Sequence, residues 1–99
     1  MSYSEHFAKH LRLVLLRLLA EASEYRLNSS ILSDAAEAHG LSATRAQIRT
    51  ELAWLTEQGL VTVAEPAPGL VVATLTERGL DVAQGRASVP GVQRPAPRP

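Results

Sequence analysis

Between Ser42 and Thr50 the chain reads Ser-Ala-Thr-Arg-Ala-Gln-Ile-Arg-Thr, a set of side chains suited to nucleic acid. An arginine fork can donate two hydrogen bonds to guanine O6 and N7, and a glutamine amide can take adenine at N6 and N7. Arg45, Gln47 and Arg49 supply those groups. Ser42 and Thr44, with the free backbone amides of a helix start, can hold a phosphate. If Ile48, Leu52 and Leu55 face a core, helical spacing leaves Thr44, Arg45, Gln47, Arg49 and Thr50 outward. The plainer alternative is that Arg45 and Arg49 form an ordinary solvated i, i+4 pair on a surface helix.

Other chemistries find less support. His6 and His10 stand i, i+4 and could chelate a metal, with Glu5 or His39 as a third ligand. Histidines at an exposed helix start are more often simply polar, so no metal is expected. Without cysteine the chain has no disulfide framework, thiolate site or cysteine nucleophile. It also has no Gly-rich phosphate loop, nucleophile elbow or close carboxylate constellation. Ser29 and Ser30 lack an identifiable general base. The expectation is a protein that is not an enzyme and carries no cofactor.

The elements that would position the polar set can be laid out along the chain. Ser2-x-x-Glu5 reads as a capping box opening a helix that runs to about Ala22. Phe7, Leu11, Val14 (or Leu15) and Leu18 give it one apolar stripe. Leu13, Leu16 and Leu19 add further faces, and a helix apolar nearly all round is buried on more than one side. The second side is expected to be another copy of the protein, with Leu13, Leu16 and Leu19 as dimer interface. The alternative cover is a tail or loop. Asn28, Ser29 and Ser30 offer caps for a second helix that stops at His39-Gly40. Thr44-x-x-Gln47 forms another capping box at the start of a third, which ends at Gly59.

Leu60–Glu65 and Leu70–Leu75 read as two strands joined through Pro66-Ala67-Pro68-Gly69. Thr76 caps a last helix over Glu77 to about Gln84. Helix, glycine stop, hairpin and helix restart make the back half of a winged helix-turn-helix. The fold expected is mainly α with a small β-hairpin, occupying residues 1–85. Residues 86–99, with Arg86, Arg94 and Arg98, read as a flexible Pro/Arg-containing tail. The register is unusual for a helix-turn-helix, because the turn glycine would place the buried position at Ala46 instead of Ile48. A turn lengthened by about two residues, or a shifted register, is implied.

Length and charge bound the function. Ninety-nine residues make one small domain, and an apolar fraction of 45% suits a globular chain. Residues 11–20 are too short and too rich in arginine to span a bilayer, and the polar opening is not a secretory leader, so a cytoplasmic protein is expected. The formal net charge is +0. Non-specific DNA affinity comes mainly from neutralising phosphates, so binding must rest on a local patch. The wing weakens that patch: from Thr50 to Glu77 there is no Lys or Arg, and Glu65 sits near the hairpin tip.

The run from Thr44 to Val61, with Leu75-Thr76-Glu77-Arg78-Gly79-Leu80-Asp81-Val82-Ala83, resembles winged-helix regulators of the ArsR/MarR type. Over about residues 4–85 the chain is similar to small winged-helix proteins encoded by Mu-like phages and prophages. The resemblance implies a dimer built on terminal helices, with Thr44, Arg45, Gln47, Arg49 and Thr50 presented to DNA. It does not extend to metal sensing, since the required cysteine and histidine clusters are missing. The expected function is that of a homodimeric, sequence-specific regulator of transcription that binds duplex DNA without a metal. The alternative is a winged-helix adaptor of phage origin that binds a protein partner through helix 1 or the wing and never touches DNA.

Overall fold

Local hydrogen bonds at four helix starts set the frame of the computed structural model, which describes residues 2–96. Ser2 Oγ accepts the Glu5 N–H ahead of α1 (Tyr3–Glu21). Asn28 Oδ1 accepts the Ile31 N–H ahead of α2 (Ser29–Ala38). Thr44 and Gln47 close a reciprocal capping box on α3 (Arg45–Glu57), and Thr76 Oγ1 accepts the Gly79 N–H on α4 (Glu77–Ala83). Each cap satisfies donors that the first helical turn leaves unpaired.

Three antiparallel strands, β1 (Arg26–Asn28), β2 (Val61–Ala67) and β3 (Leu70–Leu75), form a sheet in the order β1-β3-β2. The expected hairpin is present, with Val63 opposite Ala73 and a pairing irregularity between Ala64 and Ala67, where Pro66 has no N–H to give. β1 is an addition to the sequence reading. It pairs Leu27 with Ala73 and extends the hairpin into the body of the domain. With α1 to α4 around it, the architecture is the winged helix-turn-helix expected.

One apolar cluster joins all the helices to the sheet. It takes Leu11, Leu15, Leu16 and Leu19 from α1, Leu32 and Ala36 from α2, and Ile48, Leu52 and Leu55 from α3. Leu60, Val61, Ala73, Leu75 and Val82 are also part of it. Ile48 is buried and Ala46 exposed, so the turn between α2 and α3 is indeed lengthened.

Two expectations need correction. Leu13, Leu16 and Leu19 are 5%, 0% and 0% exposed within a single copy. They belong to the domain's own core and present no surface to a second copy. The flexible tail is also corrected over most of its length. Val89 and Val92 are buried in the same cluster, and the Gln93 N–H donates to the Lys9 carbonyl of α1. Arg12 organises this strap. Its Nη1 donates to the Gly91 carbonyl at 2.9 Å and its Nε to Glu51 Oε1 at 2.6 Å, while the guanidinium lies 4.0 Å from the centre of the Trp54 ring. Gly91, at φ +100, sits so close to that ring that an added Cβ would come within 2.7 Å of it. Arg98 lies outside the described residues.

Candidate nucleic-acid interface

The candidate interface is the exposed face of α3. Ile48, Leu52 and Leu55 hold its rear in the core, and all six predicted residues, Ser42, Thr44, Arg45, Gln47, Arg49 and Thr50, are exposed. The lengthened turn and capping box deliver the helix start to the surface.

The six do not form one uniform set. Arg45 Nη2 donates to Ser30 Oγ at 3.0 Å, which ties the start of α3 to the first turn of α2. Arg49 Nη2 donates to the Gly69 carbonyl at 2.8 Å and so ties the middle of α3 to the wing tip. The arginines therefore occupy the flank toward α2 and the wing. On the other flank, Ser42, Gln47 and Thr50 border an open groove of about 480 Å³ that they share with Tyr3 and Phe7 of α1. Gln47 Oε1 accepts the Thr44 N–H at 2.7 Å, and the Gln47 N–H donates to Thr44 Oγ1 at 3.1 Å. The Thr50 hydroxyl donates back to the Ala46 carbonyl at 3.0 Å. Gln47 is thus a cap as well as a surface residue, which qualifies its expected part in reading adenine.

Sequence reasoning missed two members of the site. Ser30 reads in sequence as a helix cap and as a serine without a general base, and its role beside Arg45 depends on how α2 meets α3. Gly69 was considered only as a turn residue. Its φ of +80 and the N–H it donates to Glu65 Oε2 at 3.3 Å shape the tip so that its carbonyl meets Arg49. No local pattern joins residues 49 and 69.

The histidine pair is exposed on α1, and His39 ends α2 with Nδ1 2.9 Å from the Ala35 carbonyl oxygen. Among the described residues no three His, Cys, Asp or Glu side chains are grouped as metal ligands, and no helix is long and apolar enough to cross a membrane.

A capped helix set between a preceding helix and a β-wing defines a winged-helix protein, and comparison with solved structures agrees. The complex structure of RosR-S4 superposes with a TM-score of 0.62 at 20% identity, over 74% of this chain and 62% of that one. An apo mutant of ZitR from Lactococcus lactis gives 0.61 at 22% identity, over 85% of this chain and 58% of that one. The chain thus spans less than two thirds of either structure. In sequence it is 51% identical over 87 residues to the uncharacterized protein gp26 of Escherichia phage Mu, covering 88% of each chain. It is 42% identical over 80 residues to an uncharacterized protein of Haemophilus influenzae, covering 81% of this chain and 78% of that one. The chain belongs to the family of phage Mu protein gp26. No family model matches it.

Proposed function

We propose that this protein is a homodimeric regulator of transcription that binds duplex DNA sequence-specifically through α3 and acts without a metal. The observation that carries this reading is the exposure of α3 with Arg45 and Arg49 along one flank, in a winged-helix fold. In helix-turn-helix docking the second helix enters the major groove while the first crosses the backbone. That assigns α3 to base edges and the start of α2, with Ser30, to phosphate. The fold shared with the RosR-S4 and ZitR structures supports the frame on which this docking rests.

The protomer measures 40 × 28 × 24 Å, enough for one half-site. Two recognition helices about 34 Å apart would engage a pseudo-palindrome and compete with polymerase or an activator. The dimer surface must lie outside Leu13, Leu16 and Leu19. ArsR/MarR-type regulation is supported by the resemblance in α3 and the wing, and phage or prophage origin by the relationship to gp26.

Site selection from randomised duplexes, followed by sedimentation of the complex, tests the proposal. A selected inverted repeat carrying two protomers supports it. A selected asymmetric site carrying one protomer removes the homodimer and keeps DNA binding.

The uncharged wing favours one second reading. A hairpin with no Lys or Arg and with Val63 and Leu70 exposed suits a protein contact. As an adaptor, the chain would bind no selected duplex, and partner binding would survive replacement of both Arg45 and Arg49 by Ala.

A further inference from the structure

The hydrogen bonds already made around α3 separate side chains that support from side chains that are free to read. Bidentate recognition of adenine needs one side-chain amide that accepts from N6 and donates to N7 together. Gln47 is the only side-chain amide within α3, and its oxygen is already taken by the Thr44 N–H. Turning that oxygen toward a base would leave a helix-start donor unpaired, against the geometry that opens the helix. The Gln47 backbone N–H is held by the same threonine, so the residue is fixed from two sides.

The arginines are held differently. Guanidinium carries five N–H donors and no acceptor. Arg49 gives one of them to the Gly69 carbonyl and keeps four, enough for a paired approach to guanine O6 and N7. The anchor also fixes the side chain before binding, which lowers the ordering cost of the contact. The wing tip that supplies the carbonyl is itself set by the positive φ of Gly69 and the Glu65 carboxylate. Arg45 is anchored instead on Ser30, at the start of the helix that crosses the DNA backbone in this docking mode.

Resting on the reading of α3 as a DNA-binding helix, we infer that Arg49 specifies a guanine, that Arg45 holds a phosphate, and that Gln47 reads no base. The wing then needs no cation of its own, because its task is to hold the arginine of α3 in place.

The test compares the wild type, Arg49→Met and Gln47→Glu on duplexes selected from a randomised pool. Thermal melting checks that each variant folds. Glutamate keeps the acceptor of the capping box, and methionine keeps an unbranched apolar stem but has no donor for guanine O6 or N7. Arg49→Met should weaken the selected site on the order of 10- to 100-fold and lose one guanine preference. Placing 7-deazaguanine there should weaken wild-type binding, an arm that needs no protein variant to fold, and should cause no further loss with Arg49→Met. Gln47→Glu should weaken all sequences alike and leave the preference unchanged. A guanine preference that survives Arg49→Met, or an adenine preference that vanishes in Gln47→Glu, overturns the assignment. Duplex binding by the wild type without any base preference overturns this inference alone. A wild type that binds no duplex overturns the DNA reading beneath it.

Discussion

Single residues set much of the local geometry in this protein, and Thr44 and Gly91 show how much can hang on one position. Thr44 both starts α3 and fixes the Gln47 amide. Thr44→Ala should cost about 1 kcal/mol, the usual value of a lost N-cap. Urea unfolding monitored by circular dichroism would check this. Gly91 combines a left-handed backbone with contact to the Trp54 ring. Gly91→Ala should cost about 2–4 kcal/mol, since alanine meets both backbone strain and overpacking. The same unfolding experiment, with Trp54 fluorescence as a second signal, would measure it. The Thr44 box is legible from a three-residue spacing, because both partners lie in one turn. The Arg49–Gly69 contact, across 20 residues of sequence, leaves no such trace.

At the scale of elements, periodic and capped segments were readable and short or remotely anchored ones were not. α1, α3 and the hairpin announce themselves through apolar spacing and turn residues. β1 has three residues, too few to display alternation, and exists because β3 offers it an edge. The strap has a composition that reads as disordered. What orders it is remote: Arg12 and Trp54 grip Gly91, and the core accepts Val89 and Val92. Truncation after Ser88 should therefore destabilise the domain by about 3–5 kcal/mol, the value of burying two valines. Differential scanning calorimetry of the shortened chain would test this. An unchanged melting temperature would mean that the strap adds no stability.

At the scale of the whole molecule, helical spacing correctly marked Leu13, Leu16 and Leu19 as buried but could not say by what. The domain covers them itself. Leu16→Glu should consequently unfold the protein and not merely separate two copies, because a buried unpaired carboxylate costs several kcal/mol in a domain of limited stability. Loss of the far-ultraviolet helical signal at 25 °C is the expected result. A folded monomer would instead place Leu16 at an interface. Neutral overall charge sets the other global expectation: attraction to DNA must come from the few cations beside α3, so log affinity should fall with log salt only as steeply as those few phosphate contacts require.

Binding to a selected duplex by fluorescence anisotropy across a salt series tests the central claim most directly, with the wild type beside Arg45→Ala and Arg49→Ala. Saturable binding is expected, with a linear dependence of log affinity on log salt. Arg45→Ala should reduce that slope by about one per protomer, as expected for a lost phosphate contact. Arg49→Ala should mainly remove the preference for the selected site. Absence of binding to any duplex at low salt, by protein that is folded, would contradict the claim and leave the adaptor reading in its place.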